Sequence, residues 1–258
     1  MLSYLYASVG HVMRPIYKAY EYRLDRQIKG DLMPQHIAII LDGNRRFAYD
    51  NGLMTKEGHI RGGKKAEEVL RWCLEDLNIN TVTVYGWSMS NFERPESQVS
   101  ETMQVIEERL RSLKDDPLLN TYGVRVKIIG NREVLNDNIR SLVEDVESKT
   151  EKYNMHNLNI ALAYDGQDEI ARAFNKMIEN GVTHATPETI EKHLDTAHQP
   201  QPDLIIRTSG EKRLSGFLLW QSAYSELVFT DVYWPEFRKI DMMRAIRTYQ
   251  KRHRRHGK

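Results

Sequence analysis

The chain has 258 residues, and its 37 basic and 36 acidic side chains give a formal net charge of +1 at pH 7. A nearly neutral chain lacks the basic excess of nucleic-acid-binding proteins, so we expect no nucleic-acid partner. The single cysteine excludes an intrachain disulfide and a zinc site built on cysteine pairs, and it fits a reducing, cytoplasmic compartment.

Residues 1–33 are predicted to form a helical extension ahead of a single domain at 34–258. Apolar residues recur at steps of three and four, which is the period of an amphipathic helix. The apolar positions are Leu2, Leu5, Val9, Val12, Ile16 and Tyr20. No stretch of the chain approaches the ~20 apolar residues of a membrane-spanning helix. We expect this helix to pack on the domain; docking on a membrane surface is the alternative.

Strand-like and helix-like segments alternate along the rest of the chain. The strand-like runs are 36–41, 80–87, 123–130, 157–164, 203–207 and 226–230. The helical patterns are 61–77, 96–114, 132–153, 166–180, 187–196 and 239–252. This alternation predicts an α/β fold in which helices flank one central, mostly parallel six-stranded sheet.

Polar loops follow three of the strands: DGNRRFA after the first, SMSNFERP after the second and RTSGEKRLS after the fifth. In open parallel sheets, ligands bind beyond the carboxyl ends of the strands, where such loops meet. The loops carry Arg45, Arg46, Arg94, Arg207 and Arg213. Because the planar guanidinium group suits phosphate oxygens, this clustering predicts a phosphate site.

The segment DGNRR combines a carboxylate with two of these arginines. Asp42 cannot bind phosphate directly, but it can hold Mg²⁺, which typically takes one or two carboxylates together with substrate phosphates. Gly43 allows a tight turn and a close approach of the backbone to a diphosphate. A helix that begins here would direct its free N–H groups to the same anion. The alternative is that Asp42 only caps this helix.

Other polar residues are candidates for contact with the ligand. His59, in EGHIRGGKK, can donate a hydrogen bond to phosphate, and a purely structural histidine is the alternative. Ser88, Ser90 and Asn91 are neutral donors in the second loop; because an amide is not a base, we expect Asn91 to orient the reacting groups. Glu226 is a second candidate carboxylate for the metal.

The motifs of the chain and their order along the sequence resemble those of the cis-prenyltransferases, the family of undecaprenyl and dehydrodolichyl diphosphate synthases. The resemblance covers residues 34–257 and rests on HIAIILDGNRRFA, EGH, SMSNFERP, RTSGEKRLSGFLLWQSAYSEL and DVYWPEF. DGNRR with LRWCL is more similar to the archaeal and eukaryotic branch. The resemblance implies an enzyme that uses Mg²⁺ to condense isopentenyl diphosphate with an allylic prenyl diphosphate, and releases diphosphate as a cis polyprenyl diphosphate forms. It also implies a homodimer and a hydrophobic tunnel for the growing chain.

The resemblance also implies roles for individual residues. Asp42 matches the catalytic, metal-binding aspartate, Glu226 the second acid at the metal, and Asn91 the asparagine often assigned as proton acceptor. The positions that match the allylic diphosphate site are Gly43, Asn44, Arg45, Arg46, Phe47 and His59. The other substrate-binding positions are Ser88, Met89, Ser90, Phe92 and Arg94, and, for isopentenyl diphosphate, Arg207, Arg213, Leu214 and Ser215. Arg255 and Gly257 match a C-terminal Arg-x-Gly motif that reaches the site of a partner subunit.

Three alternatives stay open at this point. Thr55 and Ser90 stand where many family members have arginine and glutamate, so irregular, non-head-to-tail prenyl coupling is one alternative. A non-catalytic accessory subunit of a heteromeric enzyme is another, although such subunits lack the aspartate and arginines that this chain keeps. A phosphatase of the haloacid dehalogenase type is disfavoured, because Asn44 stands where that family needs a second aspartate.

Overall fold

Six parallel strands form one sheet at the centre of the computed structural model, which describes residues 2–253. The strands are β1 (His36–Ile40), β2 (Thr81–Tyr85), β3 (Val124–Ile129), β4 (His156–Ala161), β5 (Leu204–Arg207) and β6 (Glu226–Phe229). Their order is β3-β4-β2-β1-β5-β6, and every neighbouring pair is parallel. The predicted α/β fold with a parallel six-stranded sheet is therefore confirmed. The strand order reverses at β1, which has β2 on one side and β5 on the other.

Helices flank this sheet. They are α1 (Leu2–Lys29), α2 (Asn44–Asp50), α3 (Thr55–Arg71), α4 (Glu96–Lys114), α5 (Pro117–Thr121), α6 (Asp137–Thr150), α7 (Gly166–Glu179), α8 (Pro187–Glu191) and α9 (Lys239–His253). The predicted helical patterns are all present; the bounds of 96–114 coincide with those of α4, and the other bounds are shifted. The start of α3 differs most: it begins at Thr55 and not at residue 61, and the helix continues into a π-helical turn at Trp72–Asp76. α5 has no counterpart in the prediction.

Alternate residues of the strands face opposite layers of the fold. In β1, Ile37 and Ile39 belong to the main core cluster, which also contains residues of α3, α4, α6 and α9. Ala38 and Ile40 belong to a second cluster, which includes Phe217. Because both sides of β1 are covered, all five of its residues are buried, as the continuous apolar run predicts.

The second half of α1 packs on the domain. Leu24 and Ile28 are fully buried in the main core cluster, and Nε of Arg244 on α9 donates to the hydroxyl of Tyr20 at 3.2 Å. The expected packing of this helix therefore holds for its second half. The side chains of residues 2–14 and 16 lie outside the described part of the chain, so membrane docking through them stays a prediction. No helix within residues 2–253 has both the length and the hydropathy of a membrane span.

Glycines allow α2 and α3 to pack closely at the carboxyl edge of the sheet. A Cβ atom on Gly58 would lie 2.3 Å from the backbone oxygen of Asn44, and one on Gly62 would lie 2.2 Å from Oδ1 of the same residue. Glycine has a low helix propensity, which is why the sequence pattern alone places the start of α3 too late. This contact fixes the helix that carries Arg46 against the helix that carries His59.

The substitution Gly58→Ala tests this contact. We expect it to lower the free energy of unfolding by about 1–3 kcal/mol, because the added methyl group has to displace backbone of α2. The matched control is Gly30→Ala, whose Cβ would meet only the Arg26 backbone oxygen at 3.8 Å. Urea unfolding of both variants measures the difference. Equal stability of the two variants would show that the α2–α3 contact is not close.

Candidate active site

Asp42 lies directly beyond β1, where the strand order reverses. Its backbone oxygen accepts hydrogen bonds from the Trp234 amide at 3.0 Å and from Oγ1 of Thr208 at 2.6 Å. Its carboxylate accepts hydrogen bonds from two arginines: Oδ2 from Nη2 of Arg207 at 2.8 Å, and Oδ1 from Nη2 of Arg46 at 3.2 Å. The carboxylate at the end of the buried strand is thus compensated by two guanidinium groups.

The carboxyl group of Asp42 is ionised at neutral pH. Burial by itself would raise its pKa, but the hydrogen bond and charge of Arg207, together with the charge of Arg46, outweigh burial and hold the pKa below its ordinary value. Arg207 is held in turn, because its Nη1 donates to Oγ of Ser215 at 2.8 Å and to the backbone oxygen of Arg213. The site therefore presents a fixed negative charge inside a cluster of positive ones.

Gly43 is the residue that turns the chain from β1 into α2. Its φ of 104° lies in the left-handed region, and a Cβ here would lie 2.9 Å from both Ser209 and Tyr233 side-chain carbons. Gly43 is also the N-cap residue of α2, and no side chain caps the N-terminus of that helix. The alternative that Asp42 acts as the helix cap is therefore wrong.

All five predicted arginines line one open cavity of about 680 Å³ beyond the carboxyl edge of the sheet. Arg46 and Arg213 each form an ion pair with Glu211, and Arg207 pairs with Asp42. Arg45 forms no hydrogen bond or ion pair with any other residue in the described part of the chain. Positive charge in excess of the available carboxylates makes this cavity an anion site.

The loop after β2 contributes an oriented amide. Arg94 donates a hydrogen bond to Oδ1 of Asn91, and its guanidinium carbon lies 5.1 Å from the centre of the Trp87 ring. Ser88 and Ser90 are joined by a hydrogen bond of 2.9 Å between their hydroxyl groups. The hydrogen bond to Oδ1 fixes the orientation of the Asn91 amide and leaves its nitrogen as a donor at the cavity.

His59 is neutral in the free protein. Burial, reinforced by the charges of Arg94 and Arg45, lowers its pKa to about 4. Its Nε2 atom is buried and has no hydrogen-bond partner. An anion that neutralised the two arginines would remove part of this shift. Binding of an anion in the cavity would therefore raise the pKa of His59.

A second cavity, of about 170 Å³, continues from the first between the sheet and the helices α3 and α4. The two cavities share four lining residues: Leu41, Asn44, His59 and Gly86. Side chains of Val82, Val84, Leu158 and Ile160 line the second cavity from the strands. An anion site that opens into an apolar channel is the arrangement that a prenyl diphosphate requires, and it agrees with the expected hydrophobic tunnel.

The structure brings most of the predicted site residues together. Those that line the polar cavity are Asp42, Gly43, Asn44, Arg45, Arg46, His59, Ser88, Ser90, Asn91, Arg94, Arg207, Arg213 and Ser215. Phe47, Met89, Phe92 and Leu214 do not line it. Phe47 is buried beneath the guanidinium group of Arg61, Met89 and Phe92 pack against the main core cluster, and Leu214 packs against the second cluster. These four residues therefore pack the elements that carry the site and are not part of the cavity lining.

Glu226 does not lie beside Asp42 within the chain. It is the first residue of β6, aligned with Leu204, whereas Arg207, which contacts Asp42, lies three residues or about 10 Å further along β5. Because the strands are parallel, Glu226 is at the amino edge of the sheet, where Arg252 Nη1 contacts its Oε2 at 2.9 Å. The joint metal site predicted for these two carboxylates is therefore not formed by a single chain. Arg255 and Gly257 lie outside the described residues.

Two residues that sequence reasoning did not select also belong to the polar cavity. Glu211 forms ion pairs with Arg46 and Arg213. Together with Asp42, it is one of the two carboxylates of the described chain that line the cavity. Tyr85 ends β2, and its hydroxyl donates to a backbone oxygen of the loop after β5, at Ser215, at 3.3 Å. Glu211 stands between two of the selected arginines in sequence, which was the available signal.

The residues present fit a metal ion that is shared with a ligand. Within residues 2–253, no group of three His, Cys, Asp or Glu side chains is placed to hold a metal by itself. Asp42 is ionised, partly exposed and lines the anion cavity. One carboxylate completed by phosphate oxygens and water is a normal set of ligands for Mg²⁺.

The known proteins that this chain resembles are prenyl diphosphate synthases and isoprenyl transferases. The family model of the undecaprenyl diphosphate synthases, Prenyltransf, matches residues 40–257. A tritrans,polycis-undecaprenyl-diphosphate synthase (geranylgeranyl-diphosphate specific) of Thermococcus kodakarensis is 44% identical, and the match covers 100% of both chains. An isoprenyl transferase of Thermus thermophilus is 47% identical, with 95% of this chain and 97% of that protein covered.

A solved structure shows the same fold. The lavandulyl diphosphate synthase of Lavandula x intermedia, in complex with dimethylallyl diphosphate, superposes with a TM-score of 0.79 at 31% sequence identity and covers 84% of this chain and 95% of its own. The fold and the site are those of a prenyltransferase. The chain belongs to the undecaprenyl diphosphate synthase family, whose members are cis-prenyltransferases.

The neutral state of His59 leads to a prediction about pH. Because the pKa of His59 is about 4, the imidazole is uncharged in the free enzyme throughout the neutral range. The pH profile of kcat/KM, which reports the free enzyme, should therefore show no inflection from His59 between about pH 5.5 and 8. We expect His59→Gln to lower kcat/KM without changing the shape of the profile. An inflection near pH 6.5 that disappears in this variant would contradict a neutral His59.

Proposed function

We propose that this chain condenses isopentenyl diphosphate with an allylic prenyl diphosphate in a Mg²⁺-dependent reaction that forms a cis polyprenyl diphosphate and releases diphosphate. The observation that supports this is the continuity of the arginine-lined cavity with the apolar cavity through Asn44 and His59. Geranylgeranyl diphosphate is the proposed primer, because several relatives at 43–46% identity carry that specificity in their names.

In the proposed reaction, the two diphosphates divide the arginines between them. Arg45, which lacks a partner in the described chain, and Arg46 hold the diphosphate of the allylic substrate. Arg207, Arg213 and Ser215, which are joined by hydrogen bonds, hold isopentenyl diphosphate. Mg²⁺, held by Asp42 and phosphate oxygens, would supply positive charge against the leaving diphosphate. The arginines stabilise the same developing charge from fixed positions.

Bond formation follows departure of the allylic diphosphate. The carbon–oxygen bond of the primer breaks, the double bond of isopentenyl diphosphate attacks the resulting allylic cation, and a proton is lost to form the new double bond. Asn91 orients the reacting groups through its amide nitrogen, because the hydrogen bond from Arg94 to its oxygen fixes the orientation of the amide. An amide is too weak a base to take the proton, so a phosphate oxygen or a water molecule accepts it.

Asp42→Asn tests the proposed role of the aspartate. The substitution keeps the shape and removes the charge, so we expect incorporation of labelled isopentenyl diphosphate to fall by about 10²–10³-fold or more. Asp137→Asn, on the exposed surface of α6, is the matched control and should keep wild-type activity. Circular dichroism checks that both variants fold. Wild-type turnover by folded Asp42→Asn would contradict the proposal.

We further propose that the active enzyme is a homodimer in which Glu226 and the Arg-x-Gly tail act on the site of the partner subunit. The support is positional: α9 ends beside Glu226, since Arg252 contacts it, so the tail starts from the edge of the sheet opposite Asp42. A C2 dimer places the amino edge of one subunit against the carboxyl edge of the other when the sheets run antiparallel.

Mixing two inactive variants tests this arrangement. Asp42→Asn and Glu226→Gln chains are each expected to be inactive as homodimers. If Glu226 acts on the partner's site, a mixed dimer contains one complete site, and random re-association should restore about a quarter of wild-type activity. If both residues act within one chain, every site in the mixture lacks one of them and no activity returns. Size-exclusion chromatography confirms that the chains exchange.

Irregular coupling of prenyl units is the second candidate function. It is favoured by the likeness to the lavandulyl diphosphate synthase and by Thr55, which lines the polar cavity where many relatives have arginine. Branched products from dimethylallyl diphosphate alone would favour this candidate. Linear products that require isopentenyl diphosphate would favour the first.

A further inference from the structure

Arg109 and Glu67 form one side of the apolar cavity, at the seam between α3 and α4. Both residues line the cavity, and their side chains are 29% and 43% exposed to solvent. Because both side chains border the cavity and also contact solvent, they separate the cavity from the solvent at this point. Nη1 of Arg109 donates to Oε1 of Glu67 at 3.0 Å, so an ion pair joins the two helices across this wall.

The aliphatic stem of Arg109 lies directly on a glycine of α3. A Cβ on Gly63 would lie 2.8 Å from Cδ and 3.1 Å from Cγ of Arg109. The stem thus fills the space that the missing side chain leaves at the seam. Nε of Arg109 is buried without a hydrogen-bond partner, which an aliphatic residue at the same place would avoid. The buried, unpaired Nε lowers the stability of the fold. Packing of the stem alone therefore does not explain why an arginine stands at this position.

The position of this wall is on the path of a growing chain. Gly63 follows His59, at the polar end of the cavity, by four residues or about 6 Å of helix. Leu70 and Leu113 line the cavity further along the two helices. A prenyl chain that enters past His59 meets Arg109 before it reaches these residues.

The cavity is small for a polyprenyl chain, so the chain has to displace something as it grows. Its volume of about 170 Å³ is a quarter of that of the polar cavity. The strands on one side are tied by backbone hydrogen bonds. At the level of Gly63, the stem of Arg109 and its ion pair with Glu67 span the α3–α4 seam on the opposite side. The seam at Arg109 can thus open by a movement of this side chain, without breaking hydrogen bonds between strands.

We propose that Arg109 limits product length by closing the α3–α4 seam, and that Glu67 holds the arginine in its closed position. While the seam is closed, the growing chain is confined between the sheet and the helices. When it is open, the chain leaves sideways into solvent or lipid and elongation continues. The proposal rests on the prenyltransferase function proposed above. Arg109 acts as a specificity-determining residue and contacts neither diphosphate.

Three variants test this proposal through the length of the products. Arg109→Ala removes the stem and should shift the main product by one or more isoprene units toward longer chains. Arg109→Met keeps an unbranched stem but loses the ion pair with Glu67, so it should lengthen the products less than Arg109→Ala does. Arg111→Ala is the matched control, since Arg111 lies on the same helix in an exposed ion pair with Glu107. Labelled products are separated by chain length and counted, and the rate of the first condensation is measured alongside.

The outcomes are distinguishable. An unchanged distribution in folded Arg109→Ala overturns the proposal, and so does equal lengthening in Arg109→Met, because the stem is then not the wall. If Arg109→Ala does not fold, Glu67→Gln replaces it; the loosened arginine should then give longer products, and wild-type lengths would overturn the proposal. If the wild-type protein elongates no primer at all, the proposed function fails and not the role of Arg109.

Discussion

The contact between Asp42 and Arg207 is the interaction on which the rest of the site depends. Arg207 is the last residue of β5, and Asp42 follows the end of β1 by two residues; the two strands lie side by side where the strand order reverses. Either charge alone would be costly at this depth, and the pair makes both tolerable. Because the guanidinium of Arg207 also holds Ser215 and the backbone of Arg213, the same contact arranges the loop that follows β5.

The surrounding elements give this charged site a polar end and an apolar end. Polar side chains and arginines surround the open end, while the side chains of β2 and β4 and the helices α3 and α4 form an apolar space behind it. Asn44 and His59 stand where the two meet. A ligand that has a diphosphate at one end and a hydrocarbon at the other satisfies both parts at once, whereas a sugar phosphate or a nucleotide satisfies only the first.

The sequence predicted the sheet and its carboxyl edge well, because apolar strands and the polar loops after them are local patterns. It predicted less where the answer depends on contacts between elements. The start of α3 is hidden by Gly58, whose packing against α2 is visible only in three dimensions. Glu226 lies close in sequence to site residues but begins its strand, at the opposite edge from Asp42. Arg109 looks like an ordinary surface arginine of a helix until its contact with Gly63 is known.

The most direct test of this account is a crystal structure of the protein with Mg²⁺ and an unreactive thio analogue of geranylgeranyl diphosphate. We expect the diphosphate to contact Arg45 and Arg46, with the metal on Asp42, and the hydrocarbon chain to enter the apolar cavity past His59 and run along the seam of α3 and α4. A diphosphate bound away from Asp42, or a hydrocarbon chain that lies on the surface outside the cavity, would contradict it.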